Sequence, residues 1–254
     1  MSTKAKAVCL RLWCFVVLLA SFALASSVAV ASGLQVSPVS LTLQARQNAQ
    51  GLWLSNTGDG VVHAQVRVYH WTQTGGTQQL TSSRGLVISP PMVEIQPGQK
   101  QLIRVIRIGA PPNGAGAVED AYRLAIDELP IDVQGKKGLQ FVLHYSVPVF
   151  VEPVGVAKTQ PQLQWSLLQE GDHAVLQVAN HGTGHAQIAE LSFINPAGER
   201  IGINGGLFGY VLPGATVRWT LKQPASDFVE GGTMEARING VQATQAISLA
   251  GGAH

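Results

Sequence analysis

Few side chains in this chain are spaced so that they could do chemistry, and each such group fails on its local setting. His181 and His185 flank Gly-Thr-Gly, an i,i+4 separation that would put two imidazoles on one helix face for zinc. The glycines disfavour the helix that this pairing needs, so no metal site is expected. Glu119-Asp120 and Asp127-Glu128 are adjacent carboxylates. Neighbours on a strand point to opposite faces, so neither couple forms an acid/base pair, and both read as surface or loop charges. The chain has no Gly-x-Ser-x-Gly elbow and no phosphate-binding glycine loop, and its two cysteines are Cys9 and Cys14. A hydrolase would need a nucleophile and a base that are missing. No catalytic residue, metal or cofactor is expected.

What remains is recognition through the backbone, and the stretch 138–153 organises it. Leu139, Phe141, Leu143, Tyr145, Val147, Val149 and Val151 alternate with Gln140, His144 and Ser146, which is a strand pattern. Pro148 cannot donate to a ladder, so the strand is expected at an edge, or with an edge along the part holding Pro148. No Asp, Glu, Lys or Arg lies between Lys137 and Glu152, although exposed edges are normally blunted by charge. Either the strand packs one face on its own core, or it is lent to a partner by β-augmentation.

The elements around it are β throughout. Candidate strands are 34–43, 51–55, 63–71, 86–89, 92–95, 99–108 and 122–129, which with the organising strand suit an immunoglobulin-like sandwich. After a connector at 153–161 a second, smaller set follows at 163–168, 173–178, 186–194, 216–221, 233–238 and 245–249. Asn56-Thr57-Gly58-Asp59-Gly60, Pro97-Gly98, Asn195-Pro196-Ala197-Gly198 and Pro213-Gly214 mark turns. No repeat aligns the halves by residue identity.

Lys4, Lys6 and Arg11 precede the apolar run 12–25, and Ala29-Val30-Ala31 offers small residues at a cleavage position. This reads as a secretory signal peptide, cleaved after Ala31, leaving no membrane anchor. The lost segment holds three basic and no acidic residues and both cysteines, so the charge moves from +2 to −1 and no disulfide is expected. No basic patch interleaved with aromatics remains to suggest nucleic acid.

Ser89-Pro90-Pro91, Pro97-Gly98, Arg104 and the run Tyr122-Arg123-Leu124-Ala125-Ile126-Asp127-Glu128-Leu129-Pro130, in that order, resemble the periplasmic pilus chaperones of the PapD-like family. Ser55-Asn56 and Glu119 also fall where that pattern puts them. The resemblance implies an all-β chain of two immunoglobulin-like domains in an L or boomerang, 32–152 and 162–254. It also implies an activity: lending a strand to pilin or fimbrial subunits, which then pass to an outer-membrane usher. On the family pattern Leu139, Phe141 and Leu143 are donor residues, with Tyr145 next on the same face. Burying such side chains is worth about 1.5 to 3 kcal/mol each. Val147, Val149 and Val151 are left for the chaperone's own core. The family's two carboxylate-anchoring cations fall at Ser40 and Pro148, and its interdomain arginine and acidic partner at Glu152 and near Gly240. These departures resemble the archaic branch that serves spore-coat-U-like fimbriae. Arg104 and Arg107 are the nearest replacement anchors, since a guanidinium can bind a carboxylate bidentately. The alternative is a secreted adhesin or structural pilus component, but a pilin should be one incomplete domain with an N-terminal donor arm.

Overall fold

In a computed structural model, residues 33–130, 142–155 and 158–250 are described. The signal segment, Leu139 and Phe141 lie outside them. Ten strands form the first sandwich: β1 (Leu34–Ser37), β2 (Leu41–Leu43), β3 (Ala49–Asn56), β4 (Val62–Thr74), β5 (Thr77–Ser82), β6 (Leu86–Ser89), β7 (Met92–Ile95), β8 (Lys100–Arg107), β9 (Asp120–Leu129) and β10 (His144–Val151). One sheet runs β1-β3-β8-β6, and the facing sheet runs β2-β10-β9-β4-β5, with β7 also on β4. Alternate residues fill the space between them, as period 2 demands: Leu52 and Leu54, Ile103 and Val105, Tyr122, Leu124 and Ile126, and Val147, Val149 and Val151.

The second sandwich holds β11 (Leu163–Glu170), β12 (His173–Asn180), β13 (Ala186–Ile194), β14 (Arg200–Val211), β15 (Thr216–Pro224), β16 (Gly232–Ile238), β17 (Val241–Ile247) and β18 (Leu249–Ala250). Its sheets run β15-β12-β11-β18 and β14-β13-β16-β17. The two sandwiches belong to one compact unit. Trp71, Ala121 and Phe150 turn away from the first core and join the second sandwich's apolar cluster instead.

The structure departs from the sequence expectations in several places, among them 245–249, which is divided between β17 and β18 in different sheets. The stretch 34–43 is two strands, because the chain crosses between sheets at Pro38-Val39-Ser40: β1 pairs antiparallel with β3, and β2 pairs parallel with β10. β4 runs past Trp71 into a hairpin with β5, turned by Gly75 and Gly76 at positive φ. β5 carries only exposed residues, so it has no hydrophobic alternation to read. β14 was also silent, because Gly202, Gly205 and Gly206 interrupt its apolar pattern and bulges break its register on β13.

The halves do share a repeat, at the level of a hydrogen-bonded clamp. Asn56 donates through Nδ2 to Gly60 O (2.7 Å) and Ile95 O (2.9 Å), and its Oδ1 accepts from Gly58 N (3.0 Å). Asn180 repeats this with Gly184 O (2.8 Å), Val211 O (3.0 Å) and Gly182 N (2.9 Å), and adds Gln162 N (3.1 Å). Gly98 and Gly214, of the two Pro-Gly turns, donate their N–H to the asparagine carbonyls. A Cβ on Gly182 would stand 2.2 Å from Gln160 O, so the glycine is required for close approach.

At the start of β9, Tyr122 OH donates to Asp120 Oδ2 (2.6 Å), and His70 Nε2 meets Oδ1 (2.7 Å). Burial first, then the Asp120 bond, pushes the phenol far above its ordinary value. The folded chain therefore holds this proton more tightly than the unfolded one. The stabilisation is fully present below about pH 10 and is lost as pH climbs past it. Tyr122→Phe should flatten the alkaline fall of the urea midpoint; an unaltered fall would show that Tyr122 does not drive it.

Candidate functional site

β10 is paired along its whole length on one side only. Its register on β9 runs from His144↔Asp127 to Val151↔Asp120, whereas β2 covers just Val149, Phe150 and Val151. Among the described residues, His144 to Pro148 therefore present an open edge. Glu128 N donates to Leu143 O, and Glu152 N donates to Leu43 O. Odd-numbered residues thus turn their main chain towards β9, and even-numbered ones towards the edge. The missing N–H of Pro148 would point outward, so Pro148 costs the ladder with β9 nothing.

The inner face of this stretch is half in the protein's own core. Leu143 and Tyr145 are partly buried against the first cluster, while Val147, Val149 and Val151 are fully within it. Tyr145 OH donates to Leu34 O at 2.5 Å, and burial raises its pKa. On the outer face, Asp127 bridges His144 Nδ1 (2.5 Å) and Arg67 Nη2 (2.6 Å). That hydrogen bond from Arg67 is the main cause holding Asp127 below the usual carboxylate range.

Further along the outer face the second sandwich closes in. Phe150 is fully buried, with its ring stacked on His185 at 3.5 Å and 5°. Glu119, its side chain 3% exposed, accepts from His185 N (3.2 Å) and meets His185 Nδ1 (2.7 Å). Gln73 spans the same junction, donating to Tyr210 O and accepting from Leu212 N, both at 2.8 Å. Opposite Pro148 in the register stands Arg123, over the ring of Trp71 (3.8 Å) and near that of Tyr210 (5.0 Å). Burial lowers its pKa.

Residues 33–157 match the family model of the pili and flagellar-assembly chaperone, PapD N-terminal domain. The first sandwich belongs to that family. No curated protein sequence matches the chain. Among solved structures it is similar to the CsuC–CsuE chaperone–tip adhesion subunit pre-assembly complex from archaic chaperone-usher Csu pili of Acinetobacter baumannii. The identity is 25% and the TM-score 0.66, over 85% of this chain and 99% of that one. The Salmonella enterica SafA pilin–SafB chaperone complex (18% identity, TM-score 0.60, 85% and 97% covered) shares the fold. So does the Pseudomonas aeruginosa CupB2 chaperone (18%, 0.56, 85% and 100%).

Against the chaperone family pattern, the structure redistributes several residues. Arg104 is exposed on β8, whose neighbours are β3 and β6. Arg107 is held by Ala45 O (2.9 Å) and Asn48 Oδ1 (3.0 Å) at the β2–β3 turn. Both expected anchors stand on the sheet that lacks β10, because sequence spacing cannot tell which sheet a strand joins. Ser40 is exposed between β1 and β2. Where the chaperone pattern has an interdomain arginine, Glu152 makes no ion pair among the described residues, and the Glu119–His185 pair spans the junction instead. Glu119 is thus no surface charge, a correction that the strand pattern alone could not supply. His181 meets Gln164 Oε1 (3.2 Å) while His185 meets Glu119, so the two histidines serve different partners. Arg123 falls on the outer face because Tyr122, Leu124 and Ile126 take the inner one.

Proposed function

We propose that the chain is a periplasmic chaperone that binds pilus subunits by lending them the strand 139–145 and delivers them to an outer-membrane usher. In this reading 1–31 are removed on export, 32–152 form the lending domain, 153–161 a linker and 162–254 the second domain. No enzymatic step is assigned to it. The observation that carries the reading is the open edge of β10 from His144 to Pro148, with Leu143 and Tyr145 on its inner face. An added strand would satisfy those main-chain groups while its groove received the alternate apolar side chains. Family membership and the likeness to chaperone–subunit complexes support it. No helix among the described residues is long and apolar enough to cross a membrane.

The test is co-expression with the cognate pilus subunit. Phe141→Glu and Leu143→Asp should each cut recovery of soluble subunit from the periplasm by at least about tenfold, since each removes an apolar contact worth 1.5 to 3 kcal/mol. Circular dichroism on the same preparations guards against misfolding. Undiminished recovery by both folded variants rules out strand lending.

A further inference from the structure

β17 ends its sheet, and its far side meets no strand among the described residues. Every residue of Val241–Ile247 is exposed except Ile247. No Asp, Glu, Lys or Arg lies between Arg237 and His254, so the edge lacks the charge that normally keeps exposed strands from pairing. The end strands β14 and β15 are guarded. β15 carries Arg218 and Lys222, while β14 is bulged, with Gly202 O taken by Gln223 Nε2 and Gly206 N by Asn204 Oδ1. β17 also borders an unfilled side of the sandwich, because β18 covers β11 only at Leu167 and Leu168. Beside the uncovered start of β11 lies an apolar cavity of about 250 Å³, whose walls include Leu163, Trp165, Met234, Ala236 and Ala243. Val241 and Ala243 share a strand face with buried Ile247, yet both are exposed, Val241 at 70%.

We infer that β17 pairs with the β17 of a second copy, antiparallel across a two-fold axis through Thr244. The inference does not rest on strand lending. Ile238 and Val241 close a two-residue turn in which Asn239 and Gly240 both have positive φ, and this makes them a hydrogen-bonded pair. Odd-numbered residues of β17 therefore turn their main chain towards β16, while Gln242, Thr244 and Ala246 turn theirs outward. An axis through Thr244 sets Gln242 against the partner's Ala246 and Thr244 against the partner's Thr244, meeting every outward group with about six hydrogen bonds. It also sets Val241 against the partner's Ile247 on the inner face and pairs the two threonines on the outer one. No other axis along β17 engages the whole strand. Glu235 and Arg237, the nearest charges on β16, are already paired with Arg200 (2.7 Å) and Glu190 (2.9 Å). The strand thus matches itself in charge, face and length, which is why the occupant is a second copy. The contact is isologous and closes as a dimer, with the two cavity mouths turned towards each other.

The test is sedimentation velocity on the mature protein. A single strand pair makes a small interface, so dimer should accumulate between roughly 10 and 500 µM. Thr244→Pro removes an outward N–H that the fold does not use, and should raise the dissociation constant at least about tenfold with the circular dichroism kept. Thr244→Lys and Thr244→Glu should each do the same by setting like charges across the axis, and mixing the two variants should restore a dimer. Gln79→Lys, on the exposed strand β5, should change nothing. A wild type that stays monomeric up to about 500 µM overturns the inference. So does a dimer that the folded Pro and Lys variants leave intact, or one that the Lys and Glu variants lose and their mixture does not regain.

Discussion

Phe150→Ala should cost about 3 to 5 kcal/mol of unfolding free energy, and should split thermal unfolding into two transitions where wild type shows one. The side chain is fully buried, stacked on His185, with Trp71 at 6.3 Å and Tyr210 at 6.4 Å. Its sequence neighbours Val149 and Val151 belong to the first core, whereas its own ring belongs to the second cluster. Truncation therefore leaves a cavity at a point where the two cores meet. Phe150→Leu keeps most of the volume and should cost less than about 1.5 kcal/mol. Calorimetry and urea titration decide the matter: an Ala variant within 1 kcal/mol of wild type, still unfolding in one step, would mean that the sandwiches do not lean on this ring.

Asn180→Ala should be almost as damaging, at about 3 kcal/mol or more, because several backbone groups lose their partner at once. Nδ2 serves two carbonyls, Gly184 O and Val211 O, and Oδ1 serves two N–H groups, Gln162 N and Gly182 N. Each group left buried and unsatisfied costs about 1 to 3 kcal/mol, less whatever water recovers. Asn56→Ala should lose comparably in the first sandwich, where the clamp has three bonds. Asn180→Asp is the sharper probe, since a carboxylate can accept from the two N–H groups but cannot donate to the two carbonyls. Denaturant midpoints equal to wild type for both alanine variants would show that the clamps are ornamental to stability.

The parts of the fold that sequence made legible are those where burial writes period 2 into the residues. Tyr122, Leu124 and Ile126, or Val147, Val149 and Val151, read as strands with a known inward face before any sheet is drawn. β5 did not, because a strand exposed on both faces has no reason to alternate, and its Gly75-Gly76 turn was the usable cue. Phe150 was legible as a strand residue but not as a junction residue, since periodicity assigns it to solvent and only the second sandwich buries it. The asparagine clamps could have been found: Asn-x-Gly-x-Gly occurs at Asn56 and Asn180, each followed later by Pro-Gly. The separation from asparagine to Pro-Gly differs between the halves, which defeats a fixed-offset comparison. The same two glycines explain why His181 and His185 mimic a metal pair, for they serve the turn around Asn180. In the candidate site, Arg104 and Arg107 were legible as guanidinium groups able to bind a carboxylate, but the sheet that carries them was not. That Arg123 stands opposite Pro148 needed the pairing of β9 with β10, a long-range fact that spacing does not encode.

The edge of β10 is divided between two tenants. From Val149 onward it is occupied by the protein's own β2; before that, Pro148 offers an incoming strand a carbonyl but no N–H. The proline thus works as a ruler. A strand added along His144 to Pro148 is measured off at a fixed end, and any longer one would have to evict β2, with Leu41 and Leu43 leaving the first core. Slippage is punished too. A shift of one residue would bring the outward side chains of His144 and Ser146 to where the groove expects Leu143 and Tyr145. On the strand-lending proposal, the length and register of an added strand would therefore be limited by the protein's own β2.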